Sequence, residues 1–236
     1  MRICAIILAA GKGSRMNDMN VPKVLRQVGG KSMLERVVMT AKQLTNDVIV
    51  VVSEENKKDI QNLNLDVKYC IQKNLDGTAS AVLAAENEYI DKDILVLLGD
   101  VPLLKAETLS QIVTSGKDCV ILGFRMQEEN KFGRLVLVEN KENKEDKIVE
   151  RIVEYNEANE EERKIETVNS GILFLKSNHT SKLREIKNEN SKKEYYLTDI
   201  VEIINRESVV SYIEADKKEC MGANSPADLK ILESLL

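Results

Sequence analysis

Three segments of the chain carry residue types that could handle a nucleotide and a metal ion. The first, Leu8-Ala9-Ala10-Gly11-Lys12-Gly13-Ser14-Arg15-Met16, ends an apolar run and is followed by Val21-Pro22-Lys23-Val24-Leu25. Glycine lets backbone N–H groups approach an anion, and Lys12, Arg15 and Lys23 add charge that backbone dipoles lack. This is neither the P-loop spacing nor Gly-x-Gly-x-x-Gly, because Met16 stands where the third glycine would fall. A plain strand-to-helix turn with surface cations would look the same in isolation. The second segment, Leu97-Leu98-Gly99-Asp100-Val101-Pro102-Leu103, puts a carboxylate at the end of an apolar strand, where it either shapes a turn or faces a ligand crevice. Asp100 is the hard oxygen donor that Mg²⁺ takes, and the side-chain carbonyl of Asn224 could complete such a site, although alone it reads as a turn residue. In the third, Gln72 follows a strand and Gly77-Thr78 opens a helix. An amide can pair with a pyrimidine edge, and a Gly-Thr turn gives close backbone approach plus a hydroxyl; a threonine near an N-cap explains Thr78 equally well, but not Gln72.

The elements that must position these residues follow from hydrophobic patterning. Apolar, β-branched runs at residues 3–8, 48–52, 67–71, 94–98 and 119–124 alternate with helical spacing at 32–44, 78–89 and 106–114. That alternation predicts parallel strands joined by helical crossovers, and the continuous apolar runs predict strands buried on both faces. The expected fold is α/β, a doubly wound, mostly parallel, Rossmann-like mixed sheet with helices on both faces and its site at the carboxyl ends of strands. Beyond Phe124 the pattern changes: residues 134–138 and 148–153 read as a hairpin around a charged tip, an apolar run follows at 172–175, then a helix at 197–205, a strand at 209–213 and a last helix with Ser225 as N-cap and Pro226 in its first turn. Residues 1–236 are expected to form one domain, with a nucleotide-binding half (1–125) and a substrate-covering half (126–236) that continues the same sheet.

Composition narrows the partners. With 34 Lys and Arg against 39 Asp and Glu, the net charge of −5 argues against nucleic acid or an anionic membrane as partner, so anionic substrates must be met by local cations. Cys4, Cys70, Cys119 and Cys220 lack Cys-x-x-Cys spacing, and three of them lie in apolar runs, the pattern of free thiols in a reducing cytoplasm. The apolar run at 3–10 is too short to span a membrane. His179, alone in a polar Ser-Asn-His-Thr context, is expected at the surface rather than in catalysis.

The order of motifs resembles the pyrophosphorylase domain of the bifunctional N-acetylglucosamine-1-phosphate uridyltransferase family, within the sugar nucleotidyltransferases. The resemblance runs through the first loop, Pro22-Lys23-Val24-Leu25, Gln72 with Gly77-Thr78-Ala79, Gly99-Asp100-Val101-Pro102-Leu103, Phe132-Gly133-Arg134, Ile152-Val153-Glu154, Asn169-Ser170-Gly171 and Glu194-Tyr195-Tyr196-Leu197-Thr198-Asp199, over essentially the whole chain. It implies Mg²⁺-dependent transfer of a uridylyl group from UTP to N-acetylglucosamine 1-phosphate in the cytoplasm, a step toward cell-wall precursors. It implies uridine contacts from Leu8, Ala9, Ala10, Gly11, Gly13, Gln72, Gly77 and Thr78, triphosphate contacts from Arg15 and Lys23, catalysis from Arg15, Lys23 and Asp100, metal ligation by Asp100 and Asn224, and sugar contacts from Gly133, Glu154, Asn169 and Thr198. The chain departs from the family pattern at Ser80, Leu98, Asn156 and Lys193, where the family often has His, Tyr, Lys and Gly. No hexapeptide-repeat acetyltransferase domain, the part that makes much of the family's trimer contact, is expected within residues 1–236, which leaves the oligomeric state open. The rival readings are a nucleotidyltransferase for another sugar phosphate or nucleotide, and a catalytically weak binder of nucleotide sugars.

Overall fold

Strands that are apolar on both faces need a layer of helix on each side, and the computed structural model, which describes residues 2–11, 21–140 and 147–236, has that arrangement. Its elements in chain order are β1 (Ile3–Leu8), β2 (Gln27–Val28), β3 (Lys31–Ser32), α1 (Met33–Ala41), β4 (Val48–Val52), α2 (Lys57–Gln61), β5 (Lys68–Ile71), α3 (Thr78–Leu83), β6 (Asp93–Leu98), α4 (Ala106–Thr114) and β7 (Cys119–Arg125). They continue with β8 (Arg134–Glu139), β9 (Lys147–Val153), α5 (Glu160–Arg163), β10 (Thr167–Leu175), α6 (Ile200–Ile204), β11 (Val210–Glu214), α7 (Lys217–Cys220) and α8 (Pro226–Ser234). Among the described residues the main sheet has nine strands in the order β5-β4-β1-β6-β10-β7-β11-β9-β8.

The first half is parallel: β4 and β6 flank β1, and β5 extends β4. The chain leaves β1 toward β4 and β5, then returns to the other side of β1 as β6. The carboxyl ends of β1 and β6 therefore bracket the point where winding reverses, the place where open α/β sheets hold ligands. Leu8 and Leu98 are register partners at those ends, and the Gly99 N–H donates to the Leu8 carbonyl at 3.0 Å. The second half departs from the parallel pattern: β10 inserts antiparallel between β6 and β7, β8 and β9 form the expected hairpin, and of these strands only β11 runs parallel, to β7. Short connections suit antiparallel neighbours, and the described residues between 126 and 175 contain only one short helix, α5, in place of the long helical crossovers that parallel pairing requires.

Alternation along the central strands divides the core. Cys4 and Ile6 face one layer with α3 and α6, whereas Ala5 and Ile7 face the other with α1 and α4. Local signals end several helices as the sequence implies. Ser225 caps α8 in a reciprocal capping box with Asp228, with Pro226 in the first turn, and Ser32 with Glu35 does the same for α1. The helix expected at 78–89 stops at Leu83 and resumes only as a 3₁₀ turn at Glu86–Glu88, and the one expected at 197–205 starts as a 3₁₀ turn, Leu197–Asp199, before α6.

His179 is not a surface residue. The 3₁₀ segment Ser177–Glu185 turns His179 and Leu183 inward, leaving the imidazole 6% exposed with Nε2 3.4 Å from an Asp118 carboxylate oxygen. The polar neighbours point outward, so their composition did not report the side that packs. Asp118 also accepts from Lys176 at 2.7 Å and from the Ser208 hydroxyl at 3.2 Å, and the Lys176 bond leads in holding its carboxyl below the usual range.

Strand β10 slips register against β7 between Asn169 and Ile172. Buried Ser170 secures the irregularity: its hydroxyl donates to the Leu122 carbonyl at 2.6 Å and accepts from the Ile172 N–H at 3.2 Å. Ser170→Ala should lower unfolding free energy in urea by about 1–3 kcal/mol, the usual cost of stranding a buried polar partner.

Candidate functional site

The loop after β1 is held from below by a side chain. Asn56, 6% exposed, donates from Nδ2 to the Ala9 carbonyl at 2.8 Å and accepts the Ser53 N–H at 2.9 Å, while the Ala9 N–H bonds the Val51 carbonyl. Asn56 was not singled out in the sequence, where it reads as an ordinary polar residue after a strand. Leu8, Ala9, Ala10 and Gly11 then line one wall of a cleft of about 700 Å³, together with Lys23, Gln72, Gly77, Thr78, Asp100 and Glu154. Arg15 and Gly13 lie outside the described residues.

Gln72 emerges from β5 with its N–H bonded to the Val52 carbonyl, and its amide is oriented by two acceptors: Nε2 donates to the Gly77 carbonyl at 3.0 Å and to the Ser80 hydroxyl at 2.8 Å. Ser80 in turn donates to Asp76 at 2.5 Å. The serine that departs from the family pattern thus belongs to the network that orients the Gln72 amide. Gly77 has φ +134°, and a Cβ there would lie 2.3 Å from the Tyr195 carbonyl oxygen. Around it the Tyr195 N–H donates to the Asp76 carbonyl at 2.7 Å, the Ala79 N–H to the Tyr195 carbonyl at 3.0 Å, and the Leu197 N–H to the Thr78 hydroxyl at 2.9 Å. Thr78 therefore spends its hydroxyl's acceptor capacity on the opposite wall rather than on capping α3.

Asp100 and Asn224, far apart in the chain, converge on one cation. The Lys23 ammonium is hydrogen-bonded to the Asp100 carboxylate and to the Asn224 side-chain oxygen, the latter at 3.1 Å. The Ala223 N–H donates to the Asp100 carbonyl at 3.3 Å, bringing the two segments together through backbone. Two hard oxygen donors already directed at a positive charge fit a Mg²⁺ site in which water and substrate phosphates supply the other ligands. Among the described residues no group of three or more His, Cys, Asp or Glu side chains could hold a metal by itself.

A smaller cavity of about 120 Å³ continues inward and shares Leu8, Thr78, Leu98 and Glu154 with the cleft. Its polar lining is Thr78, Glu154, Asn169 and Thr198, and the rest is apolar, including Leu98, Ile152 and Leu197. The Thr198 hydroxyl donates to Glu154 Oε1 at 3.1 Å, and Asn169 Oδ1 accepts the Gly171 N–H at 3.0 Å. Gly133 lies outside the lining but supports it: its carbonyl accepts the Asn169 N–H at 2.9 Å, and a Cβ on it would stand 3.6 Å from both Glu154 carboxylate oxygens. Buried Arg134 fixes that loop by donating to the Asn130 side chain and to the Phe132 and Arg163 carbonyls. Burial pushes the Glu154 carboxyl upward, opposed by the Thr198 hydrogen bond and the Lys192 charge. Leu98, which stands where the family often has Tyr, lines both cavities, and Lys192, Glu194 and Tyr196, to which the sequence assigned no role, also line the cleft. The signal for Glu194 and Tyr196 was their place in the Glu-Tyr-Tyr-Leu-Thr-Asp run.

Gly77→Ala places a methyl group against the Tyr195 backbone and should lower the unfolding free energy in urea by about 1–3 kcal/mol, the usual cost of a residue held in such a backbone conformation. Asp199, beside Glu154 and Glu202, is pushed by burial from its ordinary 3.8 to about 6. Its contribution to stability is full below pH 3.8 and is lost as pH rises through about 6. Asp199→Asn should therefore gain stability relative to the parent chain across that interval and hold the gain above it, as read from urea unfolding at a series of pH values.

Comparison with known proteins agrees with this architecture. Residues 5–191 match the family model of the MobA-like NTP transferase domain. The chain is 37% identical over its full length to a protein named Bifunctional protein GlmU from Wolinella succinogenes, covering 54% of it, and 38% identical to the protein of that name from Alkaliphilus oremlandii, covering 52%. The chain thus spans about half the length of these curated relatives. A UDP-glucose pyrophosphorylase solved with UDP-glucose superposes with a TM-score of 0.75 at 16% identity, over 99% of this chain and 98% of that one, a likeness of fold.

Proposed function

Because the chain belongs to the MobA-like NTP transferase family, we propose that this nucleotidyltransferase transfers the uridylyl group of UTP to N-acetylglucosamine 1-phosphate and releases pyrophosphate. The observation that carries the reading is the continuity of the two cavities: a cleft walled by the Leu8–Gly11 backbone, Gln72 and Gly77 opens, past Leu98 and Glu154, into a chamber lined by Asn169 and Thr198. One molecule that is part nucleotide and part sugar fits such a pair of rooms, with the Lys23, Asp100 and Asn224 cluster beside the phosphates that join them. The family resemblance supports UTP and the N-acetyl sugar in particular.

In this mechanism a phosphate oxygen of the sugar 1-phosphate forms a bond to the α-phosphorus of UTP, and the bond from that phosphorus to the bridging oxygen of the β-phosphate breaks. No protein nucleophile is needed, so catalysis rests on positioning and on neutralising charge. The backbone of the first loop and the Gln72 amide hold the nucleotide, while Glu154, Asn169 and Thr198 orient the sugar through its hydroxyl and acetamido groups. Lys23 meets phosphate oxygens with its ammonium, exchanging the Asp100 carboxylate for substrate. Mg²⁺, held by Asp100 and Asn224, would supply charge neutralisation on the nucleotide phosphates. Arg15 is assigned to the triphosphate on sequence grounds.

Pyrophosphate release measured across a matrix of nucleotides and sugar 1-phosphates, with and without Mg²⁺, tests the reading. The expected optimum is UTP with N-acetylglucosamine 1-phosphate in the presence of Mg²⁺, and preference for another pair would replace the substrate assignment. Asp100→Ala should reduce turnover by about 10²–10³-fold, on the scale of other electrostatic stabilisers, with the circular dichroism spectrum preserved. Turnover at the parent level in that variant would remove Asp100 from the site.

A further inference from the structure

The described lining of the large cleft is poor in cations for a site that must admit two anionic substrates. It contains the carboxylates Asp100, Glu154 and Glu194 against the ammonium groups of Lys23 and Lys192. Lys23 is already engaged by Asp100 and Asn224. Lys192 is exposed at the rim, and its charge acts on Glu154 and on Glu157, in both cases favouring the ionised form.

The backbone that carries Lys192 is held in place. Ser191 is tied to Glu157 through both its N–H and its hydroxyl. The Asn190 side-chain oxygen accepts the N–H groups of Lys192 and Glu194, each at 3.2 Å, and its amide donates to the Glu194 carbonyl. Lys193 adopts φ +57°, turning the chain so that Lys192, Glu194 and Tyr196 all face the cleft while the Tyr195 backbone is bonded to the Asp76–Ala79 turn. A left-handed residue other than glycine is costly and persists where its surroundings over-determine it. Holding a long cationic side chain on a fixed base, with Glu154 in reach of its field, costs less entropy on binding an anion than recruiting it from a mobile loop.

We propose that Lys192 is a binding residue for the phosphate of the sugar 1-phosphate, reaching across the cleft from the sugar side while Lys23 serves the nucleotide phosphates. The inference rests on the sugar-phosphate reading above. Glu154 ties Lys192 to the sugar: its side chain lines both cavities and Lys192 lines the cleft, so a sugar seated in the inner cavity beside Glu154 presents its phosphate to the cleft that Lys192 lines.

Steady-state pyrophosphate release by the parent chain and Lys192→Gln, with each substrate varied in turn, and competitive inhibition by free N-acetylglucosamine, test it. An exposed ammonium meeting a phosphate predicts that KM for the sugar 1-phosphate rises about five- to tenfold while KM for UTP moves by less than about twofold. The inhibition constant of the uncharged sugar stays as in the parent, Lys192→Arg restores KM, and rising ionic strength weakens sugar-phosphate binding more in the parent than in the glutamine variant. An unchanged KM for the sugar phosphate, or a rise confined to UTP, would overturn the assignment. A parallel loss of affinity for the free sugar would also overturn it, making Lys192 a support for Glu154 rather than a phosphate ligand. If the parent chain itself released no pyrophosphate from any sugar phosphate, the substrate reading would fail, and the role of Lys192 with it.

Discussion

The two walls of the site are joined where the backbone at Gly77 lies against the backbone at Tyr195. Only a residue without a Cβ permits that approach, and three hydrogen bonds around it join residues more than a hundred positions apart. The segment leading out of this seam carries Tyr196 and Thr198, and the one leading in carries Lys192 and Glu194. The two walls of the cleft are thereby joined through backbone at this point, and under the proposed reaction the spacing of the two substrates depends on it. Catalysis that works by positioning rather than by a covalent intermediate needs such a join, because small misplacements are costly.

Electrostatics imposes the second constraint. Under the proposed reaction a chain of net charge −5 draws two anions into a cleft whose described lining holds Asp100, Glu154 and Glu194 against Lys23 and Lys192, so those cations have to be well aimed. The Lys23 ammonium, held by Asp100 and Asn224, is pre-oriented without being deeply buried, with 18% of its side chain exposed. An ion pair in that setting stabilises the fold little and can exchange partners readily, which suits the role proposed for Lys23, releasing a carboxylate and taking a phosphate. Glu154 is in the opposite situation, since burial raises its carboxyl and a single hydroxyl and a nearby ammonium oppose that, so a sugar bringing further donors would complete its hydrogen bonding.

The sheet explains why these groups meet. Parallel pairing of β1 with β4 and β6 sets the ends of the first loop and of the Asp100 strand side by side, the general property of a winding reversal. The antiparallel entry of β10 beside β6 then brings Gly171 against Leu98, and the register slip secured by Ser170 falls between Asn169 and Ile172, which line the inner cavity with them. A purely parallel continuation would have required another helical crossover and placed a different strand end there.

Much of this was legible in the order of residues. Hydrophobic runs located β1, β4, β6 and β7 within a residue or so, because burial on both faces leaves little compositional freedom, and the cap at Ser225 was readable because its chemistry is local. The motifs also pointed to Lys23, Asp100, Asn224, Gln72, Glu154, Asn169 and Thr198 as one constellation. Contacts across long sequence separations were not legible. That His179 turns inward, that Asn56 supports the Ala9 carbonyl, that Thr78 serves Leu197 and that Lys192 faces the cleft each depend on which surface another element presents. Patterning along a chain records whether a position is apolar, whereas the partner of a polar side chain is decided by packing between distant elements, and only the tertiary structure contains that information.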